Sequence, residues 1–168
     1  MFGVKGVAAG SLLLAALGAA AGQAEVAPRR PAETARLELA APNGGRVLVL
    51  SEADLRAMPW TTLRTKTPYT DGERVFRGPL VRDVLRRAGI EGVEQVRCIA
   101  INDYVVDIPV KDFREYDVIL AMELDGNALE LRDRGPIWLM YPISDHEELT
   151  DRVIGQRLIW QLIRIEAL

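Results

Sequence analysis

The stretch Asn102-Asp103-Tyr104 places an amide, a carboxylate and an aromatic ring side by side at the end of an apolar run. Amides and carboxylates can hydrogen-bond the edge of a flat polar ring, and a tyrosine can stack on its face. This triplet could therefore bind such a ligand. An Asn-Asp pair is also typical of a tight turn, so the binding and turn interpretations both stay open.

A second candidate stretch is rich in threonine. Thr65 and Thr67 carry hydroxyl groups that could reach the edge of a ring, and Tyr69 adds another aromatic face. The alternative is a surface hairpin closed by Asp71-Gly72, in which threonine is favoured because it suits a strand.

Charged and aromatic residues near the carboxyl end form a third set. Arg132 and Arg134 could contact an oxygen atom of a ligand, although a run of charges is also typical of a solvated surface. Tyr141 could line a pocket. Trp138 and Trp160 each lie in an apolar strand pattern and are predicted to belong to the core.

Composition limits the function classes. The 168 residues suit one domain, and the net charge of -3 argues against a nucleic-acid partner, which usually meets a basic surface. One cysteine excludes an internal disulfide and a thiolate metal cluster. We find no Ser-His-Asp set, phosphate-cradling glycine loop or paired-histidine motif that would indicate a hydrolase, a kinase or a metal enzyme.

The first 24 residues have the pattern of a secretory signal peptide. Lys5 precedes an apolar run from Gly6 to Ala21, and the small residues that follow favour cleavage after Ala24. The alternative is a retained membrane anchor, for which this run is short. Residues 25–35 are predicted to be a flexible lead-in and residues 36–168 the domain. We therefore expect an exported, periplasmic protein that does not span the membrane after cleavage.

The remaining sequence predicts a mixed α+β domain with barrel-like strands and short helices. A hairpin is expected around Pro42-Asn43-Gly44-Gly45, and a short helix from Glu52, capped by Ser51. A second helix is expected from Pro79 to a stop at Gly89. The tail from Ile159 to Ile165 fits a strand or a helix. Further strands are expected at Thr61–Thr67 (or an extended loop), Val96–Ile101, Val105–Ile108, Val118–Met122 and Ile137–Tyr141, with a loop or short helix at Ser144–Asp151.

Five segments together resemble the oxidoreductase molybdopterin-binding domain, the central domain of sulfite oxidases and plant-type nitrate reductases. Their order and spacing cover nearly the whole chain after the lead-in, and the resemblance implies the sulfite-oxidase-like fold. The segments are Gly78-Pro79-Leu80-Val81-Arg82-Asp83-Val84-Leu85, Asn102-Asp103-Tyr104 with Asp107-Ile108-Pro109, Val118-Ile119-Leu120-Ala121 with Asp125-Gly126, Arg132-Asp133-Arg134-Gly135-Pro136 running into Trp138-Leu139-Met140-Tyr141-Pro142, and Ile159-Trp160-Gln161-Leu162.

The sequence departs from this family at one position. The enzymes bind molybdenum through a cysteine just before the Gly-x-Pro-Leu segment, and here the corresponding stretch ends in Thr65. A threonine hydroxyl does not replace a soft thiolate ligand. Cys98 lies in an apolar run, where cysteine is usually a small buried residue. His146, the single histidine, is expected to be solvated in an acidic loop. No metal ligand or catalytic residue is therefore predicted.

The resemblance implies that the remaining function is to bind a pterin, whose reduced or oxidised state stays open, in preference to molybdopterin. The resemblance further implies a membrane-sensor partner, because the small exported relatives look like pterin-binding proteins that partner diguanylate cyclases, phosphodiesterases or histidine kinases. The resemblance also places the loop of Tyr69, the Asn102 and Tyr104 positions and the Arg132 to Arg134 bend against the ligand. Two alternatives are a molybdenum oxidoreductase with an unusual ligand set and an interaction domain with a decayed pocket.

Overall fold

The computed structural model describes residues 36–168. The predicted signal peptide (1–24) and lead-in (25–35) lie outside the described residues, and both stay predictions. Within residues 36–168, no helix has the length and apolar character needed to cross a membrane.

A five-stranded sheet contains both ends of the described chain. Its strand order is β2-β1-β11-β5-β6, and β11 pairs parallel with β1 and antiparallel with β5. The tail therefore forms a strand from Leu162. Of the two alternatives left open for it, the strand is confirmed and the helix is wrong. The strands of this sheet are β1 Arg36–Ala40, β2 Val47–Ser51, β5 Gln95–Ala100, β6 Val105–Pro109 and β11 Leu162–Ala167.

Two smaller sheets contain the remaining strands. One has the order β3-β4-β8-β9 and the other pairs β7 with β10. The hairpin of β3 and β4 turns through residues 67–72, so the threonine-rich stretch is a strand followed by a turn. The strands are β3 Trp60–Lys66, β4 Glu73–Pro79, β7 Ile119–Ala121, β8 Glu123–Leu124, β9 Asn127–Ala128 and β10 Trp138–Met140.

The predicted helices are present, with one boundary corrected. In α1 (Glu52–Arg56), Ser51 and Asp54 form the expected capping box. The second helix, α2 (Val81–Ala88), ends at Gly89 in the left-handed region with φ of 71°. Pro79 does not begin this helix, because it is the last residue of β4, paired with Trp60.

Two short helices had no clear signal in the sequence. The third helix, α3 (Val110–Glu115), follows β6 directly, and α4 (Arg152–Arg157) follows a 3-10 turn at Glu147–Thr150. That turn agrees with the loop or short helix expected there.

One cluster of buried apolar residues draws on all three sheets and on the helices. Trp138 is fully buried, stacks edge-on against Phe76 and donates its indole N–H to the carbonyl of Leu158. Cys98 is also fully buried, as predicted. Burying each large apolar side chain contributes roughly 2 kcal/mol, so this core holds the loops above it in place.

Candidate functional site

Two neighbouring cavities lie on either side of the 67–72 turn and α4, and Gly155 lines both of them. We call the first the aromatic cavity. It has a volume of about 160 Å³, close to the roughly 150 Å³ that accommodates one benzene ring in an engineered protein cavity. It is lined by Tyr69, Ala100, Asn102, Tyr104, Gly155, Gln156, Leu158, Ile159 and Trp160.

Three aromatic side chains line the aromatic cavity. Tyr69 packs edge-on against Trp160, with ring centroids 5.1 Å apart. The Tyr69 hydroxyl donates to the carbonyl of Gly155 at 3.1 Å, and the Tyr104 hydroxyl donates to the carbonyl of Gln156 at 3.0 Å. Two tyrosines thus hold successive peptide groups of α4, and this arrangement sets the shape of the cavity.

Two exposed residues that line the aromatic cavity, Asn102 and Gln156, carry side-chain amides. The Asn102 Oδ1 accepts from the backbone N–H of Tyr104 at 3.3 Å, which is the predicted tight turn. Its Nδ2 makes no hydrogen bond within the described chain, and neither does the side chain of Gln156. Both amides can therefore bind the edge of a ligand, so the turn and binding interpretations of Asn102 are compatible.

We call the second cavity the threonine cavity. Its volume is about 440 Å³, and Thr67 is one of its lining residues. The Thr67 hydroxyl accepts from the backbone N–H of Tyr69 and contacts the hydroxyl of Thr70, both at 3.0 Å. Thr67 therefore shapes the turn that separates the two cavities. The lining residues are Lys66, Thr67, Pro68, Thr70, Gly72, Ile143, Leu149, Thr150, Asp151 and Gly155.

Thr65 does not offer the free hydroxyl that the sequence analysis expected. The residue is fully buried, and its Oγ1 accepts from the backbone N–H of Ser144 at 3.1 Å. In return, the hydroxyl of Ser144 accepts from the backbone N–H of Lys66 at 3.0 Å. These two bonds join the end of β3 to the 142–145 loop, so Thr65 supports the site from within.

The two arginines separate in the structure. Arg132 is exposed and forms ion pairs with Glu130 and Asp133. This arrangement is a solvated run of surface charges, as the alternative to ligand binding predicted. The Arg134 guanidinium lies 5.3 Å from the ring centroid of Trp138 and 5.9 Å from that of Trp160. Arg134 is therefore adjacent to a wall of the aromatic cavity, although it is not one of the lining residues.

Tyr141 lies in the core and lines neither the aromatic cavity nor the threonine cavity. It is fully buried, and its hydroxyl donates to Asp112 at 2.9 Å. Burial, together with the Asp112 charge, raises the pKa of Tyr141 far above its usual range. Arg157, in the last turn of α4, pairs with the same carboxylate. Tyr141 and Arg157 thus bind Asp112 between them, and this pairing anchors α4.

Cys98 is separated from both cavities by its burial. Desolvation raises the pKa of its thiol to about 12, so the thiolate that binds metals is strongly disfavoured. Among residues 36–168, no three His, Cys, Asp or Glu side chains are grouped so as to hold a metal ion. His146 is partly exposed and contacts Glu148 and the ring of Tyr116.

The sequence analysis missed several lining residues of the aromatic cavity, among them Trp160, Gly155 and Gln156. Trp160 was predicted to be core, but it is only partly buried and forms a cavity wall. Its apolar neighbours Leu158, Ile159 and Leu162 masked this role. Gly155 and Gln156 lie on α4, which was itself not predicted.

The fold and the site define an α+β domain with an aromatic-walled cavity suited to a flat ring. Residues 43–144 match the model of the family described as the oxidoreductase molybdopterin binding domain, which is more than half of the 168 residues. The chain belongs to this family. Membership of this family implies, at the level of ligand class, binding of a pterin-type cofactor. The resemblance seen in the sequence is confirmed.

A solved structure agrees with this fold. The chain is similar to the crystal structure of the sulfane dehydrogenase SoxCD from Paracoccus pantotrophus, with a TM-score of 0.57 and 18% sequence identity. The match covers 79% of this chain and 37% of that chain, so this chain spans well under half the length of that relative. No curated protein sequence matches. The predicted sulfite-oxidase-like α+β fold is confirmed.

The cofactor of the family's enzymes combines a pterin with molybdenum, and the described residues suit the pterin but not the metal. A pterin ring fits the donor set of the aromatic cavity, because aromatic faces and the amides of Asn102 and Gln156 meet there. Molybdenum does not fit, because the Thr65 hydroxyl is a hard ligand already bonded to Ser144 and the Cys98 thiol is buried.

Proposed function

We propose that this chain is an exported, non-catalytic pterin-binding protein. The observation that carries the proposal is the aromatic cavity, whose ring faces and two available amides suit a flat, polar heterocycle. A two-ring pterin exceeds a cavity of about 160 Å³. Part of the ligand would then lie at the mouth, where Tyr104 is 44% exposed.

The proposal extends to signalling. A ligand in the aromatic cavity would contact α4 through Gly155 and Gln156, whose carbonyls the two tyrosine hydroxyls hold. A binding protein signals when its ligand favours one docking conformation over another. We therefore propose that the periplasmic domain of a membrane sensor, such as a cyclic-di-GMP enzyme or a histidine kinase, reads the position of α4.

The first experiment tests for the ligand. The protein is purified from its native periplasm, and the same sample is assayed for extractable fluorescent pterin and for molybdenum. We expect a pterin and no stoichiometric molybdenum. Molybdenum in one-to-one amounts would favour an oxidoreductase instead. The absence of any pterin, together with no binding at micromolar concentrations, would refute the proposal.

A second experiment locates the site with matched asparagine variants. Asn102→Ala removes an amide from the aromatic cavity, and Asn127→Ala removes an exposed amide from the first residue of β9. Losing one ligand hydrogen bond should weaken pterin binding about tenfold for Asn102→Ala. Asn127→Ala should bind like the wild type. Equal affinities in calorimetry for both variants would place the ligand elsewhere.

A further inference from the structure

The aromatic cavity has no charged side chain in its wall. Its nine lining residues include three aromatic rings and two amides, but no Arg, Lys, Asp or Glu. We propose that the site binds pterins without a phosphate ester and discriminates against phosphorylated pterins; this inference rests on the proposed pterin-binding function. The ligand class is therefore a pterin with an uncharged side chain.

A phosphate ester needs positive groups that this wall lacks. A phosphate monoester carries about -1.5 to -2 charges at pH 7. Proteins compensate that charge with Arg or Lys side chains. A dianion that is only partly desolvated at the cavity mouth still loses hydration that no cation in this wall replaces. The aromatic cavity offers two neutral amides, which can hydrogen-bond a ring but do not neutralise a dianion.

The neighbouring threonine cavity does not supply the missing charge. Its lining contains one cation, Lys66, and one carboxylate, Asp151, so the two formal charges cancel. Asp151 also accepts from the backbone N–H of Val153 at 3.1 Å. A protein carboxylate therefore already occupies the amino end of α4, where it repels a second anion.

Two of the neighbouring arginines, Arg157 and Arg134, have other contacts. Arg157 pairs with the buried Asp112, and removing it from that carboxylate would leave a buried charge unpaired. The guanidinium of Arg134 lies over the rings of Trp138 and Trp160. Neither side chain lines the two cavities, so a phosphate group would reach them only after rearrangement.

The experiment compares two ligands that share one ring system. Dihydro-6-hydroxymethylpterin and its phosphate monoester are titrated against the purified full-length protein, with affinity measured by calorimetry at pH 7.5 and 0.15 M salt. We expect the uncharged compound to bind at least about tenfold more tightly. Equal or tighter binding of the ester would overturn the inference alone. Failure of both compounds to bind would overturn the proposed pterin function as well.

Matched aspartate variants test the electrostatic cause. Asp151→Asn keeps a side chain that can cap α4 and removes the carboxylate from the threonine cavity. Asp145→Asn makes the same charge change at an exposed position of the preceding loop. Ester binding should strengthen about fivefold in Asp151→Asn, while the uncharged ligand binds as before in both variants. Identical ester affinities in both variants would contradict the electrostatic explanation.

Discussion

At position 65, where the resemblance would place the metal-binding cysteine of the enzymes, the threonine side chain is part of the scaffold. The hydroxyl of Thr65 accepts from the backbone N–H of Ser144, a residue 79 positions away in sequence. A cysteine thiol accepts hydrogen bonds only weakly, so this contact suits a hydroxyl better than a sulfur. The threonine therefore ties two loops together beside the cavities instead of offering a ligand.

The buried Cys98 should be chemically inert in the native protein. Its thiol pKa of about 12 means that the reactive thiolate is scarce at pH 8. We expect iodoacetamide to modify native Cys98 about a thousandfold more slowly than the exposed cysteine introduced by Asp145→Cys, as followed by mass spectrometry. In concentrated urea the two should react alike. Rapid modification of native Cys98 would mean that the thiol reaches solvent, and would restore it as a candidate metal ligand.

At the scale of elements, α4 depends on contacts from outside its own sequence. Its six residues include Gly155, and a helix this short is not stable alone. It is held by the hydroxyls of Tyr69 and Tyr104 and by the ion pair of Arg157 with Asp112. We expect a ligand that competes for these contacts to shift α4.

Removing the Asp112 charge should therefore destabilise the fold. Asp112→Asn leaves the Arg157 guanidinium without its carboxylate in a largely buried setting, which costs about 3 kcal/mol when a buried pair is broken. The free energy of unfolding in urea is the measurement. Asp117→Asn is the control, because Asp117 is exposed and its partner Arg82 is only partly buried, so this pair should matter by less than about 1 kcal/mol. Equal stabilities of the two variants would show that the buried pair does not anchor α4.

The approach of β4 to β7 depends on a single glycine. A Cβ at Gly78 would lie 1.8 Å from the carbonyl oxygen of Leu120, which is backbone and cannot rotate away. Gly78→Ala should lower the free energy of unfolding by about 3 kcal/mol or prevent folding. Gly92→Ala is the control, because no atom lies within 4 Å of its Cβ position. A stable Gly78→Ala variant with a native melting temperature would contradict this packing.

At the scale of the whole molecule, elements with a strong local signal could be predicted from the sequence. The β1–β2 hairpin follows from its alternation and turn, and α1 and α2 follow from a capping box and a glycine stop. The site could be predicted only in part. Tyr69, Asn102 and Tyr104 line one cavity, whereas Arg132 and Tyr141 are not among its lining residues.

The missed features depend on contacts that are distant in sequence. The α4 segment Arg-Val-Ile-Gly-Gln-Arg has two apolar residues and a central glycine, which is no helical pattern. The apolar residues around Trp160 have the pattern of a core strand. That Trp160 forms a cavity wall depends on its packing against Tyr69, which is distant in sequence. Likewise, nothing in the sequence near Thr65 indicates that the backbone N–H of Ser144 donates to its hydroxyl.

The last strand is required by the architecture, even though it lies beyond the segment matched by the family. Strand β11 lies between β1 and β5, where Leu162 and Ile165 are fully buried. A chain ending at residue 144 would leave two buried strands without their shared neighbour, and unpaired buried peptide groups are costly. We expect this shortened chain to show no cooperative unfolding transition by circular dichroism, whereas a chain ending at Ala167 unfolds like the wild type. A cooperative transition in the chain ending at residue 144 would mean that the sheet can close without β11.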